Sequence, residues 1–336
     1  MKTEYITSKL LTASPKRRHH WKTAAIAALA ALILPAIVDA RPPVRRSAES
    51  DPCIVTARFM FRAAQHTALD DYNVALAKAS NEATAEARAA LRMQAREDYE
   101  DAVKLTNAQF RERRELCAEL KEERYNPVIK PADFLSVAEI AARPNPLFPL
   151  VPGTTYNLRA TTPEGIETVE FAVTRNTRTI LGITTIVVRD IVKLNGSVIE
   201  DTLDWFAQDR SGNVWYFGEN VVDYEDGLAV SLAGSWEAGV GGARAGIIMF
   251  AKPVVGKFYR QELFLGEAED AAEVLALNET VTVPAGTYTR CLKTEDFTPI
   301  DPDVTEIKYY APGIGNVLTI TPATGKRVEL ISVVKN

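Results

Sequence analysis

Apolar and polar positions change period along this chain, and each change marks off a different kind of element. From residue 154 onward they alternate in short runs. TTYNLRAT (154–161), IETVEFAVT (166–174), TTIVVRDIVKL (184–194), SVIEDTLDWFAQ (197–208) and NVWYFGE (213–219) come first. LAVSL (228–232), KFYRQELFL (257–265), ETVTV (279–283), YTRCLKTE (288–295), VTEIKYY (304–310), NVLTI (316–320) and RVELISVV (327–334) follow. A period of two sends successive side chains to opposite faces of a strand. Turn formers such as Asn195-Gly196, Ser211-Gly212 and Ala285-Gly286 separate the runs. This predicts about a dozen strands joined by hairpins. No helical stretch long enough for a parallel crossover interrupts them, so the sheet is expected to be antiparallel, either strongly curved or closed into a barrel. Its centre is the hairpin 204–219, whose turn is Asp209-Arg210-Ser211-Gly212 and whose arms are rich in large aromatics.

Residues 53–125 repeat differently. Ile54, Ala57, Phe61, Ala64 and Ala68 fall three to four apart, as do Tyr99, Val103, Thr106 and Phe110. The segment is Ala-, Glu- and Arg-rich, with no Gly and with no Pro after Pro52. Such composition favours helix. Ser80-Asn81 interrupts the run and Thr84 can restart it, which predicts two antiparallel helices over about 54–80 and 84–123. The connector 126–153 is punctuated by Pro127, Pro131, Pro144, Pro146, Pro149 and Pro152, with one short helix expected within 131–142. The fold class is therefore α+β: a helical hairpin (53–125), a Pro-rich connector (126–153) and an antiparallel β domain (154–336).

This geometry gives the cysteines a role. The helical arms run roughly 41 and 50 Å from the turn, at about 1.5 Å per residue. Cys53 and Cys117 therefore meet at the open end of the hairpin and are expected to form a disulfide, while Cys291 is left as a buried thiol. An oxidising compartment is consistent with the first 40 residues, which read as a signal peptide. Lys16-Arg17-Arg18 supply its basic start, residues 24–38 its apolar stretch, and Val38-Asp39-Ala40 the small residues before cleavage. Residues 41–52 then form a linker. The alternative is an uncleaved inner-membrane anchor over residues 22–38. No Cys follows the apolar stretch where a lipid anchor requires one. The expected location is periplasmic or secreted.

Charge narrows the partners. The formal net charge is −5, yet residues 1–40 carry six Lys or Arg against Glu4 and Asp39, so the remainder stands at −9. An acidic chain with no basic tract repels phosphate backbones, which argues against nucleic acid.

Several motifs together carry a resemblance: 145–154 (NPLFPLVPGT), AQDRSGNVWYFGE, GSWEAG (234–239), VPAGTY (283–288) and KYYAPGIGNV (308–317). Over about 53–318 the chain resembles a family of uncharacterised exported bacterial proteins. VPAGTY with YYAPGIG is also similar to a pattern in envelope proteins built on curved antiparallel sheets, such as half-barrels of the lipoprotein-carrier type. The resemblance implies an envelope or secreted location and a curved sheet, and brings no catalytic residue.

Candidate chemistry is limited by histidine. His66, in the helical hairpin, is the one histidine after residue 40. Ser–His–Asp and Cys–His catalysis and His/Cys zinc sites are therefore not expected in the β domain. Gly239-Val240-Gly241-Gly242 lacks both a strand-to-helix context and a P-loop Lys. Carboxylates crowd the central hairpin, from Asp204 through Asp209 and Glu219 to Asp226, and admit a calcium site or an acid–base hydrolase as alternatives. The leading expectation is non-catalytic binding of a small ligand or an envelope protein, with no cofactor. Its predicted site is Trp215, Tyr216, Glu219, Trp236, Glu237, Tyr259 and Glu262, with Lys308 and Arg260 as the cations that pair with the carboxylates.

Overall fold

The computed structural model describes residues 51–121 and 124–335; the expected signal peptide and all but the end of the linker lie outside this range. Two helices come first, α1 (Pro52–Ser80) and α2 (Ala85–Leu120). Helix α1 starts two residues before the expected position because Asp51 caps it, accepting from the Cys53 N–H at 2.9 Å, and Pro52 fits the first turn. Helix α2 ends at Leu120 because Lys121 turns left-handed (φ 52°) and donates its N–H to the Cys117 carbonyl.

The hairpin interface is thin. Ala57, Ala68 and Ala79 are the buried residues of α1. Larger contacts come from Phe61 stacked on Phe110 (4.7 Å between centroids) and Tyr72 on Tyr99 (5.0 Å). Cys53 and Cys117 form the expected disulfide at the open end, with Cα atoms 5.8 Å apart. Cys291 is a free, buried thiol.

In the connector, one short helix was expected and two pieces are found: a 3-10 turn (Pro131–Asp133) and α3 (Val137–Ala142). Phe134 separates them in extended backbone, forms a β-bridge to Asp209, and packs edge-on against Trp215 and Phe217. Ser136 then starts α3 with a reciprocal capping box to Glu139. Asn145 is fully engaged. Its backbone N–H donates to Gln208, its amide donates to the Gly212 and Phe250 carbonyls, and its side-chain oxygen accepts from the Leu147 and Phe148 N–H groups. This ties the connector to the central hairpin turn.

Fifteen strands follow, all pairing antiparallel: β1 (Thr154–Thr162), β2 (Gly165–Ile180), β3 (Ile183–Leu194), β4 (Ser197–Gln208), β5 (Val214–Glu225), β6 (Leu228–Ser231), β7 (Trp236–Glu237), β8 (Arg244–Met249), β9 (Phe258–Arg260), β10 (Glu262–Leu263), β11 (Ala271–Val283), β12 (Gly286–Phe297), β13 (Thr305–Ala311), β14 (Gly315–Thr321) and β15 (Lys326–Lys335). They form one curved sheet in the order β10-β8-β5-β4-β3-β2-β1-β15-β14-β13-β12-β11-β9, with β6 and β7 added on β5.

The hydrogen-bonded ladder does not close, and its two ends are the same piece of chain. KFYRQELFL alternates like one strand, yet Phe258–Arg260 pairs with β11 and Glu262–Leu263 pairs with β8. Only Gln261 lies between them, so the chain itself spans the seam between the two ends of the sheet. Gly246 permits the crossing. A Cβ on it would stand 2.3 Å from the Gln261 carbonyl carbon and oxygen. Gly218 has a related role at φ 132°, where a Cβ would meet the Trp236 carbonyl oxygen at 2.2 Å and block the pairing of β7 with β5.

Candidate functional site

Register determines which predicted residues share a face. Directly paired residues on neighbouring strands project to the same side of a sheet. One row runs Val173, Val188, Asp204, Glu219, Trp236 across β2, β3, β4, β5 and β7. The next row on that face is Ile186, Phe206, Tyr216, Gly246, and on the other side lie Phe171, Asp190, Thr202, Val221. Phe148 of the connector packs on Phe171 and Phe206 of this inner face.

Tyr216, Glu219 and Trp236 are thus brought together and are buried. The Tyr216 hydroxyl donates to Asp204 Oδ1 at 2.6 Å, and its ring meets Trp236 edge-on at 5.3 Å. Glu262, on β10 at the seam, is near enough to act on the Tyr216 hydroxyl electrostatically, as are Asp204 and Glu219. Trp236 Nε1 is buried and has no acceptor among the described residues.

Tyr259 belongs to a second inner cluster, built on β12 and β13. Lys308, 1% exposed, lies 3.1 Å from Asp296 and 3.2 Å from Glu306. Asp296 also accepts from Thr294 (2.6 Å) and from Gln261 (2.9 Å). Nearby, Lys326 pairs with Glu167 at 2.8 Å.

Trp215 and Glu237 fall outside these groups, because each is one residue out of phase with an inner-face neighbour. Trp215 Nε1 donates to Asp209 Oδ2 at 3.0 Å, on the face covered by Phe134. Glu237 pairs with Arg178, whose guanidinium sits 4.3 Å over the Trp205 ring. The expected pairing of Glu237 with Lys308 or Arg260 is therefore corrected: Arg178 takes Glu237, while Asp296 and Glu306 hold Lys308. Sequence reading missed Asp296 and Lys326 as site residues. A usable signal was the parity in VTEIKYY, which puts Glu306, Lys308 and Tyr310 on one face.

The calcium reading needs the carboxylates of 201–226 to meet at one point, and Asp201 and Asp209 are engaged elsewhere. Asp209 instead closes the hairpin turn, accepting from the Asn213 backbone and side chain, and Asp201 pairs outward with Arg189. No group of three or more His, Cys, Asp or Glu among the described residues has a metal-binding arrangement. His66 is exposed on α1.

Burial dominates the titration of the inner face. It pushes the Tyr216 hydroxyl well above its ordinary range, and the Asp204, Glu219 and Glu262 carboxylates add to the shift. Tyr259 and Tyr310 are likewise raised by burial, then by Asp296. For each, the folded pKa exceeds the unfolded value near 10, so their stabilising contribution is complete below that pH and is lost as pH rises through the folded pKa.

The charge balance is one-sided. Ten buried side chains are acidic (Glu167, Asp190, Glu200, Asp204, Glu219, Glu262, Glu269, Asp270, Asp296, Glu306), against four basic ones (Arg113, Arg260, Lys308, Lys326), among the described residues. Glu269 faces the hairpin, where it binds Arg113 through two hydrogen bonds of 2.8 Å. The register rows place Asp190, Asp204 and Glu219 on the inner face itself. Carboxylates beside aromatic rings suit a cationic group.

No family model matches this chain, and no curated protein matches it. Among solved structures, a protein described as a "putative lipoprotein" from Parabacteroides distasonis matches over 56% of this chain and 98% of its own, at 13% identity and a TM-score of 0.31. A likeness that low carries neither fold nor function across. The α+β architecture, with its open curved antiparallel sheet, rests on the chain's own structure.

Proposed function

We propose that this chain is an exported envelope protein, periplasmic or secreted, that binds a positively charged ligand on the inner face of its β domain without catalysing a reaction. The observation that carries the reading is the row Asp204–Glu219–Trp236 beside Tyr216: two carboxylates, a phenol and an indole, all turned to one face. Carboxylates set beside aromatic rings are the groups that receive an organic cation. The seam at β9 and β10 is the natural route of access. Its pairings are two or three residues long, and it adjoins Glu262. The signal-like N-terminus and the disulfide support export.

Spermidine, a flexible organic cation, serves as the probe. Titrated into the mature protein, it is expected to change the tryptophan fluorescence saturably, and Asp204→Asn with Glu219→Gln to weaken binding at least tenfold. Each lost charge-assisted contact is worth about 1.5–3 kcal/mol. Equal affinity in the double variant would remove the inner face as the site.

A further inference from the structure

A second site lies outside the β domain's interior, where the base of the helical hairpin meets the sheet seam. A cleft of about 480 Å³ opens there, walled by the first turn of α1, the last turns of α2 and the strands β8 to β10. That volume falls within the range of small-molecule sites, about 300–1,000 Å³.

Four guanidiniums line it, Arg113, Arg124, Arg244 and Arg260, against one carboxylate, Glu269. Arg113 and Glu269 form a buried bidentate pair and act as a strut between hairpin and sheet. Arg260 lies 5.7 Å over the Tyr125 ring, whose hydroxyl is fixed by the Ala245 carbonyl at 2.9 Å. Arg244 donates to the Asn126 side-chain oxygen. Arg124 is exposed and has no carboxylate partner among the described residues. The helix ends do not decide the sign of the cleft. The positive end of α1 and the negative end of α2 both reach it, and their dipoles oppose. The arginines decide it.

Much of the rest of the wall is apolar. Val55 and Leu116 come from the hairpin, and Leu263 and Leu265 from the seam. A guanidinium presents a planar fork of donors matched to phosphate or carboxylate oxygens. We propose that this cleft binds an amphiphilic anion: an oxyanion head held by Arg124, Arg244 and Arg260, with an apolar body against the leucines. It is distinct from the cation-binding inner face, and its chemistry is of opposite sign.

Dodecyl phosphate, kept monomeric, tests it by calorimetric titration of the mature full chain, with inorganic phosphate and dodecyltrimethylammonium as companions. The expected result is saturable binding of dodecyl phosphate, weakened at least tenfold in Arg124→Ala with Arg244→Ala. Both of those side chains are exposed. Leu265→Glu, which places a carboxylate at an exposed point of the apolar wall, should weaken it as well. No binding of dodecyl phosphate, unchanged affinity in these variants, or equal affinity for the cationic amphiphile would overturn the proposal. Inorganic phosphate binding as tightly as dodecyl phosphate would overturn the apolar half of the site.

Discussion

Lys308→Met is expected to destabilise the protein by about 3–5 kcal/mol at neutral pH, the usual loss when one partner of a buried ion pair is removed. Lys308 sits between Asp296 and Glu306 with almost no exposure, so methionine would fill its volume but leave two carboxylates without their cation. Burial works against its charge, yet the two carboxylates overcome that and hold its pKa above the ordinary lysine value. Its contribution is therefore fully present below the unfolded lysine pKa, near 10.4, and is lost as pH rises through the higher folded value. Glu306 behaves in the same sense at lower pH. Burial raises its carboxyl pKa despite Lys308, so its contribution is most favourable below the unfolded value near 4.3 and is lost as pH rises through the folded one. Removing Lys308 strengthens that loss. Urea denaturation of wild type and variant from pH 5 to pH 8 should show a deficit that grows with pH. Adding Asp296→Asn and Glu306→Gln to Lys308→Met should recover much of it. A pH-independent deficit, or none, would show that the cluster is not ionised as described.

The second large effect belongs to the disulfide. Cys53 and Cys117 are 64 positions apart, and closing a loop of that length in the unfolded chain is worth about 4 kcal/mol in the chain-entropy account. Beyond the disulfide, the base of the hairpin is held mainly by the Phe61–Phe110 stack, since the fully buried residues of α1 are alanines. Its link to the sheet is polar: Arg113 to Glu269, and the Gln109 amide to the Ile300 carbonyl at 2.7 Å. Cys53→Ser with Cys117→Ser should therefore lower the denaturation midpoint and lower the helical signal before the β signal. Coincident, unshifted transitions in the double variant would contradict this. Because the cleft is walled by both cysteines, the same variant should also loosen dodecyl phosphate binding.

Local pattern in the chain specified much of this architecture. Helical period and the Ser80-Asn81 break located both helices to within three residues. Arm length then placed Cys53 opposite Cys117. The central hairpin was readable because Asp209 and Gly212 suit its turn: Asp209 accepts from Asn213, and Gly212 adopts φ 93°. Long-range consequences were less legible. KFYRQELFL alternates like a single strand, and nothing local shows that it divides between two ends of the sheet. That division depends on Gly246, a residue in another strand. Strands β7 and β8 went unread, the first because two residues carry no period and the second because GIIMF is apolar throughout.

The site was legible in composition more than in geometry. The aromatic and acidic residues of 204–219 stand out in the sequence, but parity splits them: Tyr216 and Glu219 turn inward, and Trp215 turns out to Asp209. Ion pairing was misread because partners come from distant strands. Arg178 on β2 reaches Glu237 on β7, and Lys326 on β15 reaches Glu167 on β2. The arginine cleft left no motif, since its residues come from two helices' ends, the connector and three short strands.

The central claim is that the inner face of the β domain is a binding surface for a cationic ligand. Native mass spectrometry of the mature protein, purified gently from a bacterial envelope, tests it most directly. The account predicts a discrete non-covalent adduct carrying a basic group, absent from the Asp204→Asn, Glu219→Gln variant purified in parallel. A bare mass for both proteins, or the same adduct retained by the variant, would contradict it.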